Sequence, residues 1–239
     1  MSEGVLIARE HEVLRTAEEP FIGTLRATKR KSKRLVYRVT KRSFDIASGF
    51  VGCLFILPLA VFIKLAYLLT GDFGSIFFVQ KRIGKNGQEF NFYKFRTMIK
   101  DADEKLADIL KEEPYKSEWK KYQKLRNDPR ISKAGKILRK TSLDEFPQFL
   151  TVLKGDMSLI GNRPYLPREK SDIPSYTYDA LILTKPGMTG YWQVSGRSNL
   201  DFDERLRLES YYSNHASLSL DSAILFKTPL AVLSHSGAD

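Results

Sequence analysis

One apolar run constrains this chain more than any other stretch. From Ile46 to Leu69 a single charge, Lys64, interrupts a segment of membrane-spanning length, and Pro58 falls at its middle. Proline inside a helix removes a backbone donor and clashes with the preceding turn, so it favours a bend at Leu57-Pro58. Each half then holds about 12 residues and reaches only about 18 Å, short of a hydrocarbon core of roughly 30 Å. Both flanks are basic. Arg26, Lys29, Arg30, Lys31, Lys33, Arg34, Arg38, Lys41 and Arg42 precede the run, with no acid between Arg26 and Arg42, and Lys81, Arg82 and Lys85 follow it. The positive-inside rule keeps both ends on the cytoplasmic side. A helix that enters one leaflet, bends and returns satisfies length and charge together.

The same distribution explains the net charge of +11 over 239 residues. Polyanionic partners are implied, and a polybasic segment directly before a membrane-length run points to anionic lipid. No aromatic platform or recognised motif accompanies the charges, which argues against nucleic acid. One cysteine, Cys53, and three scattered histidines exclude an intramolecular disulfide and speak against a Cys- or His-built metal site. The run begins too late and is too long for a cleaved leader.

Downstream patterning is α+β and mostly α. Ile76–Val79 and Phe90–Phe95 are β-rich runs around a turn with Asn86-Gly87, which predicts a β-hairpin. A charged amphipathic helix is expected over 98–126, ended by Asn127-Asp128-Pro129. Short helices follow at about 132–139 and up to about Lys154. Pro164, Pro167 and Pro174 mark an irregular stretch before helices at 200–215 and 220–234. The expected division is a tail with the polybasic segment (1–42, its first 25 residues mobile), a re-entrant membrane helix (43–71) and a cytosolic catalytic domain (72–239).

Chemistry concentrates between Arg139 and Arg163. Asp144 and Glu145 are adjacent, Arg139 and Lys140 lie just upstream, and Lys154-Gly155-Asp156 and Gly161-Asn162-Arg163-Pro164 follow. Carboxylates flanked by arginines and glycine turns suit chemistry on a metal-bound phosphate ester, with guanidinium groups taking phosphate charge. The structural alternative is that Ser142-Leu143-Asp144-Glu145 is a capping box at a helix start. Pro147 is comfortable only in a first helical turn. A helix beginning there would leave both acids on the approach loop.

At this point the residues resemble the bacterial sugar transferases, the monotopic phosphoglycosyl transferases that prime surface polysaccharide. The matching segments run in order. They are Lys41-Arg42-x-Phe44-Asp45 before an apolar run with a central proline, Gln80-Lys81-Arg82-Ile83-Gly84, and Tyr93-Lys94-Phe95-Arg96-Thr97-Met98. Arg139 through Glu145, Lys154 through Gly161 with Arg163-Pro164, and Lys185-Pro186-Gly187 through Arg197 complete them. Asn162 stands where the family often has proline.

The resemblance implies transfer of a sugar-1-phosphate, of glucose or galactose type, from a UDP-sugar to undecaprenyl phosphate with release of UMP. Asp144 would be the nucleophile and form a covalent phosphosugar ester. Asp144 and Glu145 would hold Mg²⁺, with Arg139 completing the catalytic set. Arg163, Lys94, Arg96 and Arg197 would bind substrate phosphates. Asp156, Gln80 and Arg82 are secondary candidates, and an aspartate after glycine is also an ordinary turn residue. Tyr191 and Trp192 suit either a uracil stack or core packing. The implied place is the cytoplasmic face of a bacterial inner membrane, with anionic lipids as partners, no nucleic acid, and a homo-oligomer admissible. Two other classes explain parts of the chain: a membrane-tethered scaffold without chemistry, and a glycosyl transferase that releases UDP.

Overall fold

A computed structural model describes residues 3–122, 125, 127–196 and 200–233, with side chains within 34–120, 125, 127–196 and 200–231. The chain divides into two compact units, Met1–Ser43 and Phe44–Asp239. Its first element is the helix α1 (Glu3–Leu69). Helix runs from Glu3 through the segment expected as a tail; these residues carry no proline until Pro20 and are rich in helix formers. α1 is a single helix across Leu57 and Pro58. By length and composition, Arg34–Leu69 is able to cross a membrane.

In the second unit the antiparallel hairpin β1 (Phe77–Ile83) and β2 (Glu89–Phe95) follows, paired Phe77 to Phe95 and Ile83 to Glu89. Asn86 and Gly87 both take positive φ (58° and 76°), as the sequence predicted for this turn. The charged stretch after it is two helices rather than one, α2 (Ala102–Ile109) and α3 (Tyr115–Tyr122). Pro114 lies between them and cannot donate into a continuing helix. Next come α4 (Lys133–Lys140), α5 (Gln148–Lys154) and the short strand β3 (Ser158–Ile160). The proline-marked stretch is more ordered than expected. It holds a 3₁₀ turn at Pro167–Asp172, α6 (Ser175–Leu181) and β4 (Gly187–Thr189), which pairs in parallel with β3. Strands of three residues leave too little alternation to be seen in a sequence. α7 (Tyr191–Ser195), α8 (Phe202–His215) and α9 (Leu218–Leu233) close the chain.

Several contacts dock α1 within this unit. Ile63 and Tyr67 enter a core with Ile76, Phe95 and Leu138. The Tyr67 hydroxyl donates to the Arg96 carbonyl, and Lys64 Nζ donates to the carbonyls of Phe73 (3.3 Å) and Gly74 (3.1 Å). At the other end Asp45, buried, accepts from Ser158 Oγ (2.9 Å) and the Leu159 backbone N–H (2.8 Å), so α1 is tied to β3. Gly52 lets the helix approach α5: a Cβ there would lie 2.1 Å from the Phe149 ring.

Among the described residues the opposite face is exposed. Leu54, Leu57, Val61, Phe62, Leu65 and Leu69 are each more than half exposed, and Phe73 is 77% exposed beside them in sequence. A contiguous exposed apolar surface of this kind marks a membrane or partner contact rather than a solvated face. The coarse expectation therefore holds: mostly helix, one small hairpin, one long apolar N-terminal helix.

Asp45→Ala would leave the Ser158 hydroxyl and Leu159 N–H buried without an acceptor. We expect a loss of about 1–3 kcal/mol, read as a lower unfolding midpoint in detergent. Asp45→Asn, which keeps one acceptor oxygen, should lose less. Equal midpoints for wild type and Asp45→Ala would remove this role.

Candidate active site

The acid pair sits on a 3₁₀ turn, Leu143–Glu145, between α4 and α5. α4 starts at Ser132, whose Oγ accepts from the Gly135 N–H at 2.9 Å, and ends with Arg139 and Lys140 in its last turn. Ser142 is not the cap of a following helix. It takes left-handed backbone (φ 56°), makes no capping bond, and turns the chain out of α4. Such a position costs a non-glycine residue on the order of 1 kcal/mol. Bonds from Arg139 to Thr97 and from Lys94 to Glu145 flank the turn, and α5 begins only after Pro147. The capping-box alternative thus fails, and both acids lie on the approach to α5.

The hairpin brings cations to that turn. Phe90 and Phe92 of β2 pack on Val152 and Met157 around α5. Lys94, two residues further along the same face of the strand, then reaches the acids. Its Nζ lies 2.8 Å from Glu145 Oε1 and 3.6 Å from Asp144 Oδ2. Beyond β2, Ser132 N–H donates to the Thr97 carbonyl (3.0 Å), and Gly135 passes so close that a Cβ would lie 1.9 Å from that oxygen. α4 is thereby held against Thr97, and Arg139 Nε donates to Thr97 Oγ1 at 3.0 Å.

Asp144 is only 6% exposed. Burial raises its carboxyl above the ordinary range; Lys94 pulls it down, the Glu145 charge pushes it up, and Arg139 pulls it down again. For Lys94, loss of water disfavours the ammonium, yet the charges of Glu145 and Asp144 prevail and raise it. Desolvation lowers Arg139, partly offset by Asp144 and Asp128. Buried Asp144 and the more exposed Glu145 therefore share one corner with two cations.

A second cationic group lies along β1. Arg82 donates to Gln80 Oε1 (2.7 Å) and to the Pro164 carbonyl (2.9 Å), and its guanidinium lies over the Phe92 ring at 5.2 Å. Burial first, and then the neighbouring Arg163 charge, push Arg82 down to about 10. Arg163 pairs with Glu169 Oε1 at 3.2 Å. The secondary candidates Gln80 and Arg82 thus join Arg163, and Lys94 feels the Arg82 charge.

Other candidates sit apart from these bonds. Arg96 is held by both oxygens of Asp72 (2.9 and 2.8 Å) over the Tyr67 ring, a bracing contact at the end of α1. Asp156 is exposed just past α5, its N–H closing the turn onto the Thr151 carbonyl. Tyr191 packs in a core with Ile160 and Tyr212, and Arg205 covers the Trp192 ring at 5.4 Å. Pro58 is exposed on α1. Arg197 lies outside the described residues. Glu209, Glu169 and Asp72, which engage these arginines, are absent from the sequence-based set; Glu209 and Asp72 lie 46 and 24 residues from their partners, where no local spacing signals them.

The two adjacent carboxylates suit Mg²⁺, an ion that takes one or two carboxylates and completes its shell with water and phosphate. Among the described residues there is no group of three or more acidic, His or Cys side chains that could hold a metal ion.

The model of the bacterial sugar transferase family matches residues 36–235. The chain belongs to that family. It is 44% identical over 206 residues to an uncharacterized sugar transferase of Haemophilus influenzae, covering 86% of this chain and 43% of the relative. Identity is also 44% to an undecaprenyl-phosphate galactose phosphotransferase of Salmonella typhimurium, over 84% of this chain and 42% of that protein. The exopolysaccharide production protein ExoY of Rhizobium meliloti is 40% identical over 81% of this chain and 85% of its own length. The chain thus spans under half the length of the first two relatives. The matched region contains both acids, Lys94, Arg139, Arg82 and Arg163.

Lys94→Met would leave two adjacent carboxylates without their cation. Because Glu145 is well exposed and screened, most of the effect falls on buried Asp144, and we expect a loss of about 1–3 kcal/mol. The lysine's raised value means its contribution persists until pH climbs past the ordinary lysine range. On the acid side the cost should shrink as Asp144, whose carboxyl is raised, protonates. Unfolding midpoints of both proteins against pH would show this; a pH-independent difference would not fit.

Proposed function

We propose that this chain transfers a sugar-1-phosphate from a UDP-sugar to undecaprenyl phosphate and releases UMP. The observation that carries this reading is the burial of Asp144 between Lys94 and Arg139 on a turn beside a membrane-length apolar helix. A carboxylate that attacks a diphosphate meets like charge, so the surrounding cations are a requirement of the chemistry. An Asp144 oxygen attacks the β-phosphorus, the bond from that phosphorus to the bridging oxygen breaks, and UMP departs with the electron pair. A phosphate oxygen of the polyprenyl acceptor then attacks the same phosphorus and frees the Asp144 carboxylate.

Lys94 favours the ionised form of Asp144 and, with Arg139, offsets the charge that gathers on the equatorial oxygens. Arg163 and Arg82 take the diphosphate, where a planar guanidinium fork is better suited than a point charge. Asp144 and Glu145 would hold Mg²⁺, which supplies Lewis-acid relief of phosphate charge when bound. Arg197 is retained as a phosphate ligand by its place in the family motif.

Galactose is the sugar to test first. The Salmonella relative is named for galactose and an Erwinia amylovora relative for UDP-galactose. The ExoY relatives support a place in exopolysaccharide priming. For topology we favour a re-entrant α1 over 43–71, bent at Leu57-Pro58, with 72–239 on the cytoplasmic face of the inner membrane. The exposed apolar face of α1 and the basic flanks support it. The acceptor phosphate at headgroup level would then meet Asp144 without leaving the lipid.

The test is nucleotide release by detergent-solubilised protein given Mg²⁺, undecaprenyl phosphate and one UDP-sugar at a time. UMP should appear with one sugar, cease with EDTA, and fall by at least about 1,000-fold in Asp144→Asn, the scale lost with a principal catalytic group. Release of UDP would replace this mechanism with glycosyl transfer. Full turnover in Asp144→Asn would end the nucleophile assignment.

A further inference from the structure

Glu209 is a carboxyl group that the proposed chemistry leaves unused. It lies on α8, 1% exposed, far in sequence from the acid pair. Its Oε1 accepts the Arg163 backbone N–H at 3.1 Å, and its Oε2 accepts the Tyr165 hydroxyl at 2.6 Å. The segment it grips is in turn bonded to β1. The Tyr165 carbonyl accepts the Ile83 N–H at 2.8 Å, and the Pro164 carbonyl accepts the Arg82 guanidinium at 2.9 Å. A continuous bonded path therefore runs from Glu209 through Arg163–Tyr165 to Arg82.

The two arginines on that path repel one another, and Arg82 is largely out of water. Left to themselves they would separate. A backbone pinned on both sides, by α8 and by β1, prevents that. Hydrogen bonds to a carboxylate are shorter and roughly twice as strong as neutral ones, which suits a charged acceptor to this task.

We propose that Glu209 is a positioning residue: by fixing the Arg163–Pro164–Tyr165 segment, it holds the guanidinium groups of Arg82 and Arg163 together to receive the donor diphosphate. This rests on the reading above that these arginines meet the diphosphate. Glu209 touches no reacting atom and acts only through the segment. The groups that face it are Arg163 and Tyr165 from the segment after β3 and Arg205 from its own helix. Burial drives its carboxyl up to about 7; the Tyr165 and Arg163 hydrogen bonds and the Arg205 and Arg163 charges oppose that rise without cancelling it. Its charge, and with it the grip on the segment, therefore changes near neutrality. The carboxylate form predominates above that value and the neutral acid, a poorer acceptor, below it.

The test measures equilibrium binding of UDP-galactose, with Mg²⁺, to the full chain in detergent, alongside UMP-release kinetics. Misplacing a binding group by about 1 Å costs up to about 100-fold. For Glu209→Gln we expect a Kd weaker by about tenfold, a matching rise in KM, and kcat within about twofold. Wild-type Kd should weaken as pH falls through about 7, and Glu209→Gln should lose that slope. The diphosphate probe itself does not titrate there, so the slope belongs to the protein. Tyr165→Phe, which keeps the Arg163 bond, should weaken binding by less and carries the test should Glu209→Gln not fold.

Unchanged Kd and pH slope in a folded Glu209→Gln, or in Tyr165→Phe where only that variant folds, overturns the proposal. So does a fall in kcat with Kd unmoved, or a wild type that binds no UDP-galactose. Wild-type binding of the predicted kind without UMP release would sink the transfer reaction and leave the positioning role standing.

Discussion

A buried carboxylate beside a second acid needs a cation against it to favour its charged form, and for Asp144 that cation is Lys94. Its contacts with Glu145 at 2.8 Å and Asp144 at 3.6 Å join two pieces of chain fifty residues apart. Much of the second unit serves this juxtaposition. Phe90 and Phe92 seat β2 on Val152 and Met157, which fixes where Lys94 points. Gly135 and Ser132 seat α4 on Thr97, which fixes Arg139. Desolvation makes the arrangement costly, because it opposes the charged forms of Asp144, Lys94 and Arg139 alike. It also strengthens each attraction within the corner. A site of this kind is stable only when complete.

The hairpin is the framework that spreads cations across the site. β2 carries Lys94 to the acids, and β1 carries Arg82 to the Arg163–Pro164 segment, with the Phe92 ring lying beneath both charges. Facing positions on a pleated strand pair are neighbours, so one small two-stranded unit carries cations to two places. Its tip is anchored as well: the Asn86 N–H donates to the Ile182 carbonyl at the end of α6 at 2.8 Å. α1 adds the remaining support. Tyr67, Lys64 and Asp45 fasten it to Arg96, to the Phe73-Gly74 loop and to β3, while its other face is left to an apolar phase. One helix thus anchors the catalytic unit on one side and meets its surroundings on the other.

Sequence and structure agree best where a signal is local. The hairpin, with Asn86-Gly87 at positive φ, follows from turn chemistry and β-rich flanks. α4 follows from its Ser132 cap, and α5 from proline's place at a helix start. Disagreement appears where local signals compete with distant contacts. Ser142 has the spacing of a capping box, yet it serves as the left-handed residue that ends α4, because Arg139 and Leu143 are each held elsewhere. Pro114 divides a charged stretch whose periodicity suggested one helix. β3 and β4 pair in parallel over three residues each, and nothing in either strand announces its partner.

By itself the sequence determined the chemical inventory and the broad plan of the protein. It holds an apolar helix between basic flanks, a hairpin, an acid pair among arginines, and motifs in the order of the bacterial sugar transferases. These are properties of residue type and near-neighbour spacing, which any chain carries in its order. Tertiary structure alone decided which charges meet. Lys94 rather than Arg96 faces the acids, Arg96 is spent on Asp72, and Glu209 grips the segment that carries Arg163. The physical reason is that burial and pairing are set by groups tens of residues away. Coulomb and desolvation energies depend on distance in space, and the order of residues along a chain does not record it.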